Sequence, residues 1–281
     1  MISYQCKKNI QGWVDSGYYA GASIIIAKEN KIMYKVYFGN HQPQTVVFIV
    51  SAGKWLAAAV VAAIVDEGKL EWNDKLKKWL PEFKDSKGEA TVAQLMSHTP
   101  GTKTINQKGN PIDIYQTLKE SVAHIVDLPA DTLPGATCKY GGLAMQVAGR
   151  MAELATGKDW ESLFQQKIAI PLGMHSTHFA PVNSSGGHAP MLGGGAGSTL
   201  QDYANFLSMI FNNGIFKGKR ILSVRAIEAM QADHVLGAKV NRREFVENVR
   251  GSVKKDIYGL GEWREEPDHK GKVLFLNFHP Q

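Results

Sequence analysis

The stretch that decides the fold is SAGKWLAAAVVAAIV, residues 51–65, in which Ser51 and Lys54 precede a run without polar side chains. A run that is apolar on all faces predicts a helix buried on every side in the core. This helix is too short to span a bilayer. The run ends shortly before Gly68, which suits the left-handed residue that often follows a helix.

Ser51 and Lys54 are three residues apart, and residues at this spacing share one face of a helix. A serine hydroxyl is a weak nucleophile at neutral pH and needs a base within hydrogen-bond reach. Burial near the helix start disfavours the ammonium form of Lys54 and makes its amine available as that base. The pattern therefore predicts a nucleophile and its base. The alternative is that Ser51 only caps the helix and Lys54 extends into water.

The same spacing recurs at Ser252 and Lys255, as expected by chance for two common residue types. These residues stand among Arg250, Lys254 and Asp256, without an apolar face to bury either side chain. A lysine there keeps its proton and its water shell. The surrounding sequence therefore favours the first pair as the reactive one.

The composition is that of an ordinary globular protein, since 44% of the 281 residues are apolar and 21% are charged. The net charge of +6 is spread in pairs of basic residues without interleaved aromatics, which argues against nucleic-acid binding. Solvated faces explain this charge better than a surface for anionic substrates. Cys6 and Cys138 lie far apart and suggest neither a disulfide framework nor a cysteine metal site.

The first residues, MISYQCKK, contain no apolar segment of the secretory kind. The expected compartment is periplasmic or extracellular if an export signal has been removed, and cytoplasmic otherwise. His175 and His178 follow Pro171 in a turn without a nearby acidic residue, so no metal site is expected. No nucleotide-binding glycine motif occurs, and no organic cofactor is expected.

Predicted strands lie at both ends of the chain, with helices between them. Residues 21–27 and 31–38 predict a hairpin, and residues 257–263 and 272–278 predict two late strands joined by a turn. Helices are predicted at residues 55–65, 74–81, 91–96, 112–127, 143–156, 159–168, 200–212 and 223–232. The stretch 183–198, rich in Gly and Ser, predicts a loop near a site or a hinge.

This order predicts an α+β fold. An antiparallel sheet is built from the N- and C-terminal strands and flanked by helices, with a mainly helical lobe inserted between them. The sheet lobe comprises residues 1–50 and 197–281. The helical lobe comprises residues 51–196 and carries both the serine–lysine pair and Tyr140.

Short motifs follow one another along nearly the whole chain: VFIVSAGK at 47–54, DEGKL at 66–70, LMSHTPG at 95–101, GGAGST at 194–199 and YGLG at 258–261. In this order they resemble the serine β-lactamase and penicillin-binding-protein superfamily, in particular its class C-like branch. The resemblance implies a β-lactamase/transpeptidase-like fold and catalysis through an acyl-enzyme, without a metal or organic cofactor. His98, within the third of these motifs, is expected to buttress a turn rather than act as a base.

In that family a further motif supplies a tyrosine and, two residues later, an asparagine. Tyr140 stands in the matching place ahead of a helix, which implies that its phenol relays the serine proton to the leaving group. The alternative is a loop tyrosine that only packs on the core. Gly142 stands where asparagine is usual, so a side-chain amide that helps hold substrate is missing. This change disfavours β-lactams and other amides more than reactive esters.

The family's last motif, a KTG or HxG strand, supplies the second backbone donor of the oxyanion hole. His269, Lys270 and Gly271 match HxG as letters, but the residues before them are typical of a hairpin turn. The preferred interpretation is that the chain ends at Gln281, one strand short of this motif. Losing one such donor typically costs about a hundredfold or more in rate, so a truncated, impaired or fully inactive hydrolase is then expected.

The resulting prediction is a serine hydrolase of ester or amide bonds, esterase- or peptidase-like. Ser51 attacks and its backbone N–H is one oxyanion donor, Lys54 accepts the proton, and Tyr140 protonates the leaving group. A class C-type β-lactamase is the runner-up, and a penicillin-recognising binding protein without turnover is the alternative from another class. The expected partner is a small-molecule ester, amide or β-lactam, with no nucleic acid and no membrane span, and the oligomeric state stays open.

Overall fold

A computed structural model describes residues 4–29, 31–104, 117–179, 190–240, 257–264 and 275–276. Its helices are α1 (Tyr4–Asp15), α2 (Gly53–Asp66), α3 (Leu76–Trp79), α4 (Val92–Met96), α5 (Leu118–Asp127), α6 (Leu143–Thr156), α7 (Trp160–Phe164), α8 (Ile170–Leu172), α9 (Leu200–Phe211) and α10 (Val224–Gln231). Its strands are β1 (Gly21–Lys28), β2 (Lys31–Gly39), β3 (Val47–Phe48), β4 (Thr137–Cys138), β5 (Gly197–Ser198), β6 (Ile215–Phe216), β7 (Lys219–Arg220), β8 (Lys239–Val240), β9 (Ile257–Tyr258), β10 (Trp263–Arg264) and β11 (Phe275–Leu276). A π-helical turn, Gln165–Ala169, joins α7 to α8.

Helix α2 lies at the centre of the core because its sequence offers no polar face. Every residue from Gly53 to Ile64 is buried, and the helix packs against both α6 and α10. The helix ends at Asp66, and Gly68 has a φ of +70°. The predicted buried helix and its glycine stop are both confirmed.

The other predicted helices are confirmed wherever the structure describes them, except that the one predicted over residues 159–168 divides into α7 and the π-helical turn, and their ends follow local capping chemistry. Thr91 caps α4 in a reciprocal capping box, and the side chain of Asp159 caps α7. Helix α6 ends at Gly157, whose φ of +70° favours a residue without a β-carbon. Helix α5 begins at Leu118, and residues 112–116 of that prediction lie outside the described residues.

The strands form small sheets, and the α+β class is confirmed. β1 and β2 make the predicted antiparallel hairpin, in which Ile24 pairs with Val36. β3 pairs with β5, β6 with β7, and β10 lies between β9 and β11, all antiparallel, whereas β4 and β8 are parallel. In the described ranges the N-terminal hairpin and the C-terminal strands lie in separate sheets, so their union in one sheet stays a prediction.

The prediction of one continuous strand over residues 257–263 is wrong. The segment divides into β9 and β10, which pair antiparallel through Tyr258 and Trp263. Between them Gly259 N donates to Glu262 O at 2.9 Å and Gly261 has a φ of +80°, so the YGLG motif forms a tight turn. β11 lies within the strand predicted at residues 272–278, while the connecting turn falls outside the described residues.

One hydrophobic cluster extends along the chain from Trp55 to Leu260. It combines side chains from both predicted lobes, such as Leu56 and Phe206. The lobe boundaries themselves stay a prediction. Within the described ranges, no helix combines the length and the apolar character that a membrane crossing requires.

Candidate active site

Ser51 lies on a strained turn at the start of α2. Residues 50–52 form a 3₁₀ turn, and Val50 has a φ of +48°, which is rare for a β-branched residue. Such strain typically costs about 1–3 kcal/mol and concentrates at functional sites. The N-cap of α2 is Ala52, without any side-chain cap. The interpretation of Ser51 as only a helix cap is therefore wrong.

Lys54 is buried directly beside this serine. Only 3% of its surface is exposed, and its Nζ lies 3.3 Å from Ser51 Oγ. Burial lowers the pKa of Lys54 from 10.5 to about 7, because the ammonium form loses its hydration. Near neutral pH a substantial share of this amine is unprotonated and can accept a proton. The alternative of a solvated lysine is wrong.

A backbone carbonyl is the second partner of the lysine. Lys54 Nζ donates a hydrogen bond to Gly193 O. A β-carbon at Gly193 would lie 2.8 Å from Gly142 Cα and 3.6 Å from Lys54 Nζ. The absence of a side chain at Gly193 thus lets its segment approach Gly142 and the amine closely. The described part of the Gly- and Ser-rich stretch lies next to the predicted pair, as the sequence indicated.

Tyr140 contacts both members of the pair. Its hydroxyl shares a hydrogen bond with Ser51, and Lys54 Nζ lies 4.5 Å from the centroid of its ring. Burial raises the pKa of Tyr140 to about 12, although the hydrogen bond with Ser51 opposes this effect. The phenol therefore remains protonated near neutral pH and can donate its proton. A tyrosine that only packs on the core would make neither contact.

A buried histidine and two aromatic side chains surround Tyr140. The ring of His98 lies 4.7 Å from that of Tyr140, and Trp263 stacks on Tyr140 with centroids 5.8 Å apart. His98 Nε2 lies 3.0 Å from the hydroxyl of Tyr258. Burial, assisted by the charge of Lys54, lowers the pKa of His98 well below its usual value. His98 is therefore a neutral ring that holds its neighbours in place, as expected of a buttress.

The family comparison agrees with the motif order. A family model described as beta-lactamase matches residues 7–271, nearly the whole chain. The chain belongs to the beta-lactamase family. The resemblance inferred from the motifs is confirmed, and the fold expected of this family is the one observed.

Solved structures of beta-lactamase-like proteins share this fold. A protein from Bacteroides dorei DSM 17855 that bears the same family name is 46% identical, with a TM-score of 0.88 over 95% of this chain and 81% of that one. The octameric penicillin-binding protein homologue from Pyrococcus abyssi is 22% identical, with a TM-score of 0.79 over 98% of this chain and 67% of that one. At that identity the second likeness concerns the fold alone.

Curated relatives in the beta-lactamase family carry different activities in their names. The D-alanyl-D-alanine-carboxypeptidase/endopeptidase AmpH of Escherichia coli (strain K12) is 25% identical over 57% of this chain and 46% of its own length. Esterase EstB of Burkholderia gladioli is 27% identical over 57% of this chain and 47% of its own length. The chain spans about half the length of these relatives.

The fold brings together all three site residues predicted for this beta-lactamase-family chain, but two neighbours were missed. A carbonyl such as that of Gly193 gives no sequence signal, because every residue has one. The contact of Trp263 with Tyr140 was missed because residues 257–263 were predicted to form one continuous strand. The adjacent YGLG motif was the signal that could have indicated a turn there. The match to the last motif at residues 269–271 lies outside the described residues. Within the described ranges no group of three or more His, Cys, Asp or Glu residues could hold a metal ion.

Proposed function

We propose that this chain is a serine hydrolase that cleaves ester or amide bonds through an acyl-enzyme, with Ser51 as the nucleophile. The observation that supports this most directly is the 3.3 Å approach of Lys54 Nζ to Ser51 Oγ inside a buried site. Because burial brings the pKa of Lys54 to about 7, its amine can take the serine proton near neutral pH. An exposed lysine would keep its own proton there.

Acylation begins as Ser51 Oγ bonds to the substrate carbonyl carbon and the hydroxyl proton passes to Lys54 Nζ. The carbonyl oxygen becomes an oxyanion, for which the Ser51 backbone N–H at the start of α2 is one donor. When the intermediate collapses, the bond to the leaving group breaks and Tyr140 gives its phenolic proton to the departing atom. The Lys54 ammonium, which lies against the tyrosine ring, then returns a proton to Tyr140.

Deacylation reverses the proton movements. A water molecule attacks the acyl carbon, its proton passes to the unprotonated amine of Lys54, and the carbonyl oxygen again becomes an oxyanion. The bond to Ser51 Oγ breaks as Tyr140 donates its phenolic proton to that oxygen, and the Lys54 ammonium then returns a proton to Tyr140 as the acid leaves. All three side chains return to their starting protonation states.

We propose reactive esters of small acyl groups as the preferred substrate class. The name of EstB supports an esterase, and that of AmpH supports a peptidase acting on D-alanyl peptides. Gly142 lacks the side-chain amide that the resemblance places two residues after the tyrosine. Without that amide, weakly activated amides and β-lactams have one fewer polar group to hold them. If the same absence abolishes turnover, the second candidate follows, a binding protein that keeps the penicillin-recognising fold but does not hydrolyse its ligand.

Labelling with a fluorophosphonate, followed by peptide mapping, separates the two candidates. The hydrolase predicts an adduct on Ser51 that the Ser51→Ala variant abolishes. Ser252→Ala is the matched control, because Ser252 heads the second serine–lysine pair of the same spacing. This control should leave the labelling unchanged.

Hydrolysis of p-nitrophenyl acetate then tests turnover. A folded protein that labels at Ser51 and releases nitrophenol repeatedly is the proposed hydrolase. A folded protein that gives no adduct at Ser51 contradicts the proposal and favours the binding protein. An adduct that forms equally fast in Lys54→Met contradicts the assignment of the base.

A further inference from the structure

A buried glutamine links α6 to the carbonyl that holds Lys54. Gln146 has no exposed surface, and its Oε1 accepts a hydrogen bond from Leu192 N at 2.8 Å. The next residue is Gly193, whose carbonyl accepts the hydrogen bond from Lys54 Nζ. Gln146 thus holds Leu192, the residue immediately before Gly193.

The segment that carries this carbonyl, residues 191–195, is a tight turn docked on α6. Two of its amides, those of its last two residues, donate to Met191 O at 3.1 and 2.7 Å. Leu192 is completely buried, and a β-carbon at Gly149 would lie 2.4 Å from its Cδ2. Gly149 is three residues after Gln146, so both lie on one face of α6. The side chain of Leu192 therefore packs against this face of α6, and its backbone N–H is hydrogen-bonded to it.

Gln146 is the polar side chain among the buried residues of α6. The other buried residues of this helix are apolar or small: Leu143, Ala144, Met145, Val147, Ala148, Gly149, Met151 and Ala152. A buried amide is costly unless its polar atoms are paired, and Nε2 of Gln146 has no hydrogen-bond partner among the described atoms. An apolar side chain of similar volume would avoid that cost but would leave Leu192 N without its acceptor.

We propose that Gln146 is a positioning residue for the acylation of Ser51: it fixes the 191–195 turn so that the Gly193 carbonyl orients the amine of Lys54. A neutral amine has two N–H donors and one lone pair. When one N–H points to Gly193 O, the lone pair can face the serine hydroxyl across the 3.3 Å contact. This inference rests on the proposed function, because it concerns the same amine and the same serine.

The test measures the rate at which a fluorophosphonate labels Ser51, as a function of pH, for the full chain and three variants. Gln146→Met removes the acceptor at similar volume, and Gln146→Glu keeps an oxygen acceptor in a core that favours its neutral form. Met145→Leu is the matched control for disturbed packing, since Met145 is also fully buried in α6. Thermal unfolding of each variant establishes that it is folded.

Gln146→Met is expected to lower the limiting rate of Ser51 labelling about tenfold or more, because a misplaced base loses its alignment. It should also move the acid side of the pH profile, where the rate falls as Lys54 becomes protonated, to lower pH. Without the hydrogen bond to Gly193 O, the ammonium form of Lys54 is less stabilised. Gln146→Glu should restore most of the rate, and Met145→Leu should leave both the rate and the acid side of the profile in place.

Two kinds of result would overturn the inference alone. One is a folded Gln146→Met protein with the rate and the acid side of the pH profile of the unaltered chain. The other is an equal loss in Gln146→Met and Gln146→Glu, or in Met145→Leu, which would indicate general packing. If the unaltered chain forms no adduct at Ser51, the proposed function itself fails and this inference fails with it.

Discussion

At the scale of single residues, the proposed reactivity of the site depends on the burial of Lys54. The folded pKa of about 7 lies below the ordinary 10.5, so between these values the unfolded chain binds a proton that the folded chain lacks. Stability therefore rises with pH across that interval, and at neutral pH the buried amine reduces it. A loss of stability at the position of the proposed base is what functional sites often show.

Lys54→Met should therefore be inactive but more stable at neutral pH. Replacing the buried amine by an apolar side chain of similar size removes the desolvation penalty that lowers its pKa, a gain of roughly a few kcal/mol. Urea unfolding near neutral pH checks the sign, and the gap from the unaltered chain should narrow as the pH rises toward 10.5. A variant less stable than the unaltered chain at both ends of this range would contradict the assigned burial penalty.

Tyr140→Phe should slow cleavage most for substrates with poor leaving groups. The phenol, with its pKa raised to about 12, is a proton donor, and p-nitrophenolate departs without needing a proton from it. The rate of ethyl ester cleavage should fall about a hundredfold or more, and that of p-nitrophenyl ester cleavage considerably less. Single-turnover rates for both esters supply the comparison. Equal losses for the two esters would mean that Tyr140 only orients Ser51.

At the scale of elements, the turn between β9 and β10 supports the first turn of α2. A β-carbon at Gly261 would lie 2.5 Å from Lys54 O, and Gly261 N donates to Met96 O at 3.1 Å. Leu260 N donates to Met230 O at 2.8 Å on the same turn. The YGLG motif thus joins α2, α4 and α10 next to the catalytic candidates.

Gly261→Ala should destabilise the chain far more than Gly218→Ala. Both positions have nearly the same positive φ, +80° and +78°, but nothing lies within 4 Å of a β-carbon at Gly218. The shared conformational cost is about 1–2 kcal/mol, and the backbone clash at Gly261 should add about 1–3 kcal/mol or more. Denaturant unfolding measures the difference. Equal losses in the two variants would argue against close packing of this turn on α2.

Helices and strands could be predicted from the sequence where the residues that determine them are close together in the chain. Helix α6 was predicted to the residue because its apolar period and the stop at Gly157 lie within one segment. The division of residues 257–263 was missed because it follows from close contacts of Gly259 and Gly261 with distant backbone. An alternating apolar segment indicates a strand equally well with or without such contacts.

At the scale of the whole molecule, one hydrophobic cluster runs through both predicted lobes. The chain should therefore unfold in a single cooperative transition, because removing either lobe would expose side chains that the other covers. Near- and far-ultraviolet circular dichroism recorded during thermal unfolding should give coincident curves. Two separated transitions would indicate that the lobes are independent folding units.

The site as a whole was predictable only in part. Ser51, Lys54 and Tyr140 were found because their chemistry requires particular side chains in a recognisable order. Gly193 contacts Lys54 across 139 positions of sequence, and a turn carbonyl has no residue-specific signature. Long-range placement of backbone atoms is therefore what the sequence left undetermined.

The central claim is that the amine of Lys54, beside Ser51, is unprotonated in a substantial share of molecules at neutral pH. A nuclear magnetic resonance titration of protein with carbon-13-labelled lysine measures this directly, with Lys54→Met identifying the signal. The account predicts that the Lys54 Cε resonance titrates with a midpoint near a pH of about 7. A midpoint near the ordinary 10.5, with the protein folded throughout, would contradict it.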